Sequence, residues 1–279
     1  MLIFDFNQVV LANLMEQIGY SKQPVDEGLV RHMVLNTIRA HIRKFREYGE
    51  VIIACDNKRY WRREVFPPYK AHRKKNREAS GHDWTTIFEC MSKIRQELKD
   101  HSPYKVIDVD GAEADDVIGA LVHKYADKEP IMILSSDKDF VQLQTYKNVK
   151  QYSPTLKKYI KADDPIKQLK ELIVTGDTGD GIPNILSPDN SIIDGIRQKP
   201  VTKKFLSEFA ENGTSKFNDT LNRNWSRNEI LIDLSMIPET ISESIISTYN
   251  ETKPASRQQF MNYMIANRLK NLLEVIDEF

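Results

Sequence analysis

The chain has 279 residues, 40% of them hydrophobic, and 40 basic side chains balanced by 40 acidic ones. The zero net charge argues against a general nucleic-acid binder, and no apolar run approaches the roughly 20 residues that cross a bilayer. Two cysteines, Cys55 and Cys90, make no disulfide framework and fit a reducing compartment, and the start, Met1-Leu2-Ile3-Phe4-Asp5, lacks the order of a signal peptide, so a cytoplasmic, membrane-free location is expected.

Leu2 to Phe6 reads as a buried strand. An amphipathic helix follows, with Val30, Val34, Ile38, His41, Ile42 and Phe45 on one face. Val51 to Cys55 is the second strand. Asp83 is a candidate N-cap for a helix marked by Ile87, Met91, Ile94 and Leu98. Val106 to Val109 is the third strand, Glu113 to Tyr125 a helix, and Ile131 to Leu134 the fourth strand. Gln151-Tyr152 and Tyr159-Ile160 can pair as a hairpin. Strands alternating with helices predict an α/β fold with a largely parallel central sheet, covered on both faces.

Beyond Asp163 the strand signals stop. Asp164-Pro165 starts a helix through Leu169, Leu172 and Ile173 that Gly176 ends. Residues 184–200 form an irregular connection, and further helices begin near Thr202, Ser215, Pro238 and Ser256. The expected division is an α/β domain over 1–162 and an all-helical C-terminal domain over 163–279.

Carboxylates gather where this topology would bring them together. Asp5, Asp56 and Asp137 close three strands, and the third runs into Glu113-Ala114-Asp115-Asp116 at a helix start. Asp139 follows Asp137, and Gly176-Asp177-Thr178-Gly179-Asp180 adds two acids on a turn. Sites in open parallel sheets form beyond the carboxyl ends of the strands. Any one such Asp is commonly a turn or cap residue, and Asp108, Asp110, Asp163 and Asp164 are assigned that ordinary role. The nine together imply a site for hard cations, Mg²⁺ with Mn²⁺ as substitute; no Cys/His set for zinc accompanies them. More acids than one ion requires point to two ions, of which one would activate water and both would stabilise charge on a scissile phosphate.

Between Lys58 and Arg77 lie nine Lys or Arg residues against a single acid, Glu64. Arg59, Arg62, Arg63, Arg73, Lys74, Lys75 and Arg77 interleave with Tyr60, Trp61 and Tyr69. Such a mixture suits phosphates and unpaired bases, and a solvated loop is its bland alternative.

Asp56 with Trp-Arg-Arg and Pro-x-Tyr-Lys-x-x-Arg, then Glu113-Ala-Asp-Asp, Ser136-Asp-Lys-Asp139 and Gly176-Asp-x-x-Asp180, resembles the 5′-nuclease (PIN-like) family. Flap endonucleases and the 5′-nuclease domains of bacterial DNA polymerases belong to it. Through Arg227-Asn228-Glu229, Pro238 and Glu278-Phe279 the resemblance extends to its phage ribonuclease H branch and covers nearly the whole chain. It implies a divalent-metal centre at Asp5, Asp56, Glu113, Asp115, Asp116, Asp137, Asp139, Asp177 and Asp180. Asp56 and Asp137 would be essential for turnover and Lys70 an active-site lysine. Residues 57–82 would form a basic arch over the site. A helix–turn–helix-type element around Gly176, with Lys203 and Lys204, would grip duplex backbone. The pattern departs from the family at Gly181-Ile182-Pro183-Asn184-Ile185, where Gly-Ile-Gly and a Lys are usual, so the family's monovalent-cation site is not carried over.

The resemblance further implies a monomer that removes RNA primers and 5′ flaps from DNA and RNA–DNA hybrids during phage replication. Its expected partners are single-stranded-DNA-binding protein, sliding clamp and replicative polymerase. Two rivals explain less. A haloacid-dehalogenase-like phosphatase would use Asp5 but needs an acid where Asn7 stands. A non-enzymatic binder of branched DNA has no use for so many acids.

Overall fold

Short apolar runs supply the inner strands, whose successive residues are buried on opposite faces of the sheet, whereas the last strand, Lys158–Ile160 at the edge, is largely exposed. A computed structural model describes residues 1–19 and 24–279. The first half comprises β1 (Leu2–Asp5), α1 (Phe6–Ile18), α2 (Glu27–Lys44), β2 (Val51–Ala54), α3 (Arg62–Val65), α4 (Arg73–Ser80) and α5 (Trp84–His101). It continues with β3 (Lys105–Ile107), α6 (Ala114–Tyr125), β4 (Ile131–Leu134), β5 (Val149–Ser153) and β6 (Lys158–Ile160). The helical half holds α7 (Pro165–Thr175), α8 (Lys203–Asn212), α9 (Asp219–Ile232), α10 (Glu239–Glu251), α11 (Arg257–Ala266) and α12 (Lys270–Leu273).

The six strands form one sheet in the order β3-β2-β1-β4-β5-β6, parallel throughout except for β6. β1 lies between β2 and β4, so the strand order reverses there and opens a crevice at the carboxyl edge. Leu2, Phe4, Ile53, Val106 and Leu134 point to one core, built with α1, α2 and α5. Ile3, Ile52, Ala54, Ile107 and Ile133 point to the other, built with α6. This is the period-two pattern of a strand covered on both sides.

The helical half returns to both cores. Phe260, Tyr263, Met264, Leu269 and Leu272 join the first cluster, and Leu234, Ile237, Ile245 and Tyr249 the second. α7, α8 and α9 instead build two further clusters around Ile173, Val174, Phe209 and Trp225, the first of which also takes in Phe66 and Tyr69.

Several elements differ from the sequence expectation: β2 ends at Ala54 rather than Cys55, β3 runs Lys105–Ile107 rather than Val106–Val109, and α1 is an additional helix. Phe6 is the first residue of α1 rather than the end of a strand, because Asp5 accepts the Gln8 N–H at 3.2 Å and caps a helix there. The helix expected near Ser215 starts at Asp219, where Asn218 accepts the Leu221 N–H at 2.9 Å. Between α7 and α8 the chain takes a long irregular path through residues 176–202, with Arg227 and Arg223 clasping Asp189.

Candidate active site

The strand register places the acids. Asp5 is aligned with Ala54 in the parallel pair β1–β2, so Asp56 leaves the sheet beside it. On the other side Phe4 is aligned with Leu134, and the next residue, Ser135, donates to Asp5 at 3.1 Å. The buried Gln151 amide holds the following loop by donating to the carbonyls of Ser135 and Asp137, at 3.0 and 2.6 Å. Asp137 accepts the Asp139 N–H at 3.0 Å and so starts the 3₁₀ segment Lys138–Thr145.

Asp56 is positioned by the Ala114 N–H at 2.7 Å and by the Asn7 side-chain amide. Glu113 caps α6 and Asp116 completes a capping box with it, accepting the Glu113 N–H at 2.9 Å. These two acids are countered from inside. Arg62 lies 3.0 Å from Glu113 and 2.8 Å from Asp116, Lys70 donates to Glu113 at 2.6 Å, and Trp61 donates to Asp116 at 3.2 Å.

A second turn closes the site from the helical half. Gly176 ends α7 at φ 67°, and a side chain there would press on the Ile182 carbonyl at 2.4 Å and on Pro183 at 2.6 Å. The tight turn that follows presents Asp177 to Lys138 at 3.1 Å and Asp180 to the Tyr69 hydroxyl at 2.9 Å, with Arg73 also on Asp180. Lys70 reaches Asp180 at 3.4 Å, while its own N–H donates to the Asp180 carbonyl at 2.7 Å. Holding both contacts puts Lys70 at φ 55°, a strained conformation for a residue with a side chain.

The acids differ in how well they are compensated. Burial alone would raise Asp180, yet Lys70 and Arg73 hold its carboxyl below the usual range. Burial, then the charge of Asp56, push Asp5 up to about 7. Burial also lifts Asp56, although Lys70 opposes the rise. Burial lifts Asp115 well above the carboxylate range, with Asp137, Glu113 and Asp56 adding to it against Lys70. Asp139 behaves in the same way through burial and the charges of Asp137, Asp177 and Asp180. Among the described residues Asp115 has no hydrogen bond or ion pair, and Asp139 Oδ1 is buried without a partner. Acids whose mutual repulsion outweighs the nearby cations favour the approach of further positive charge. Among the described residues no three acidic, imidazole or thiol side chains form a closed cage. Mg²⁺ does not need one, since it keeps several waters and takes one or two carboxylates.

The basic segment divides into an interior and an exterior set. Arg62 and Tyr69, expected on the nucleic-acid surface, are instead interior: Arg62 is 2% and Tyr69 1% exposed. Arg62 Nε donates to the Leu231 carbonyl at 2.9 Å, and the Tyr69 hydroxyl points to Glu113 and Asp180. The acids they face outweigh solvent as partners, so neither is available to a substrate. Lys70 is buried between Glu113 and Asp180, whereas Arg73 is half-exposed at the rim. Arg59, Arg63, Lys74 and Lys75 are exposed, and Arg77 half-exposed. Lys203 and Lys204 are exposed on the first turn of α8, beyond the ion pairs of the acidic hollow.

Three supporting residues escaped the sequence reading. Asn7 holds Asp56, Ser135 holds Asp5, and Arg95 of α5 donates to the Asp56 carbonyl at 2.9 Å and pairs with Asp108 at 3.2 Å. The positions of Asn7 and Ser135 beside strand ends were the available signal, whereas Arg95, in the middle of α5, offered none.

A mostly parallel sheet with acids along its carboxyl edge and a helical C-terminal region is the architecture of a 5′-nuclease, and the chain belongs to the 5′-3′ exonuclease family. Residues 19–177 match the model of the 5′-3′ exonuclease N-terminal, resolvase-like domain, and residues 166–279 that of the T4 RNase H C-terminal region. It is an enzyme of the nuclease class. More particularly, it is 32% identical to ribonuclease H of Enterobacteria phage T4, over 99% of this chain and 95% of that protein. It is 30% identical to a 5′-3′ exonuclease of Buchnera aphidicola subsp. Schizaphis graminum, over 54% of this chain and 53% of that one. The fold is shared with the bacteriophage T5 flap endonuclease, crystallised with DNA and metal ions, at a TM-score of 0.68 and 17% identity. That match covers 90% of this chain and 99% of the other.

Proposed function

We propose that this protein is a Mg²⁺-dependent 5′-3′ exonuclease and flap endonuclease that removes RNA primers and short 5′ flaps in phage DNA replication. The observation that carries the reading is the set of acids gathered at the sheet edge, Asp115 and Asp139 above all. Their burial and mutual repulsion outweigh Lys70 and Lys138, and Asp139 Oδ1 is left without a partner among the described residues. Residues with that chemistry fit two divalent ions held by Asp5, Asp56, Glu113, Asp115, Asp116, Asp137, Asp139, Asp177 and Asp180. When bound, such ions supply an activated water and stabilise charge on the scissile phosphate; Mn²⁺ has the same ligand preference.

The chain's own contribution is placement. Asn7 and the Ala114 N–H orient Asp56, and Gln151 fixes the loop bearing Asp137. Lys70 sits where Glu113 and Asp180 keep it charged, its pKa well above the usual lysine value despite burial, and a cation there stabilises charge that grows in the transition state. Arg73 at the rim, with Lys74, Lys75 and Arg77 beyond it, receives the strand through its phosphates. Lys203 and Lys204 stand at a helix N-terminus, whose dipole adds to their field, and hold the duplex backbone without reading sequence. Residues 163–279 act in this reading as the duplex-holding half, and replication proteins as the docking partners.

End-labelled 5′-flap and nicked RNA–DNA duplexes, incubated with Mg²⁺ and then with chelator, test the proposal. Cleavage from the 5′ side that requires metal and disappears in Asp56→Asn and Asp137→Asn, with DNA affinity kept, is expected. Undiminished cleavage in either variant overturns the assignment.

A further inference from the structure

Two helices lead away from the acidic hollow to one aromatic patch. On α4, Arg73 holds Asp180 at the rim, and Arg77, four residues on, lies on the same face. The Arg77 guanidinium carbon sits 5.4 Å from the centre of the Phe88 ring. On α5, Arg95 touches the Asp56 carbonyl, and Phe88 lies seven residues earlier, on the same face and about 10 Å away along the axis. Trp84 packs against Phe88 with ring centres 5.6 Å apart, and its indole N–H donates to Ser80 Oγ at 2.7 Å, which fixes the ring.

Phe88 is 46% exposed. This apolar ring lies at the surface between Trp84 and the cation Arg77, and Lys74 and Lys75 are exposed on the same helix as Arg77. The two cores are completed without it, and neither includes Phe88.

We propose that Phe88, with Trp84 and Arg77 around it, is a stacking platform for one or two unpaired bases of the single-stranded 5′ segment leaving the active site. The inference rests on the nuclease reading for its substrate. The charge argues for the occupant: the cations of α4 take phosphates, and the ring, flanked by a guanidinium, takes the face of any base. Stacking of this kind is tolerant of sequence, as a structure-guided nuclease requires. It also gives the strand a fixed departure angle, which surface lysines alone cannot.

The test is equilibrium binding of the full-length protein, in chelator, to a 5′-flap duplex carrying 2-aminopurine at successive flap positions. Phe88→Ala is expected to weaken flap binding about tenfold, the size of a single base–aromatic stack. It should remove the fluorescence change at one or two positions and leave the salt slope as in wild type. Phe88→Trp should retain binding, and a nicked duplex without a flap should bind both proteins alike. An abasic flap should bind wild type as weakly as the base-bearing flap binds Phe88→Ala. Unchanged flap affinity in Phe88→Ala, including the case in which the patch serves a protein partner, overturns the proposal. So does an abasic flap that binds as well as the base-bearing one. Failure of the nuclease reading is seen separately, as wild-type protein that binds the flap through Phe88 but hydrolyses nothing with Mg²⁺.

Discussion

Arg62 and Glu113 face each other at 3.0 Å, and each side chain is only 2% exposed. The same guanidinium bonds Asp116 and the Leu231 carbonyl at the end of α9, so one residue ties the acidic hollow to the helical half. Truncating it strands two buried carboxylates. Arg62→Ala is expected to destabilise the protein by about 3–5 kcal/mol, the usual cost of breaking a buried pair. Denaturant unfolding measures it, and a destabilisation below about 1 kcal/mol would contradict the internal role.

Asp5 gives the metal-free protein a defined pH dependence. An acid whose folded pKa exceeds its unfolded value stabilises the fold while protonated. Its contribution is complete below the ordinary value of 3.8 and is lost as pH rises through about 7. Asp5→Asn should therefore match wild type at low pH and become more stable than it across that window, by a few kcal/mol at most. Thermal unfolding in chelator at several pH values provides the check, and an advantage that shrinks with rising pH would refute it. Asp180 runs the other way. Its lowered pKa contributes stability above its ordinary value that disappears as pH falls.

At Asp115 burial and the charges of Asp137, Glu113 and Asp56 outweigh Lys70, so its removal separates stability from metal use. Asp115→Asn is expected to raise the melting temperature in chelator and to reduce the further rise that Mg²⁺ produces in wild type. Scanning calorimetry with and without Mg²⁺ decides this; an Mg²⁺ shift equal to that of wild type would remove Asp115 from the proposed ligand set.

Gly176 is fixed by two independent facts, a positive φ and the Ile182 carbonyl 2.4 Å from where a Cβ would stand. Gly176→Ala should cost on the order of 1–3 kcal/mol and shift the turn that carries Asp177 and Asp180. Denaturation and Mg²⁺ titration on the variant should both be impaired, and a variant normal in both would show that the turn adapts.

Lys74 and Lys75 test the exterior of the basic segment. Replacing both with Ser should flatten the log–log salt dependence of single-strand binding by about 0.7 for each phosphate left without its lysine. An unchanged slope would leave them as solvated surface.

The sequence alone determined the strands and the acids at their ends, because strand burial has a two-residue period and a parallel sheet sends its carboxyl ends to one edge. Asp5, Asp56 and Asp137 were legible for that reason, as was the helix from Pro165 to Gly176 from its cap, proline and glycine. Only the tertiary structure decided which cations face in. Arg62 and Tyr69 share a basic segment with Arg59 and Arg63, and nothing local separates them. What separates them is contact across the chain, with Glu113, Asp180 and Leu231, which no periodicity encodes. Phe260 and Phe279 are the same case at the other end. Their rings meet 5.3 Å apart against the core of the first strands, and a helical half that looked separate in sequence completes the sheet's own interior.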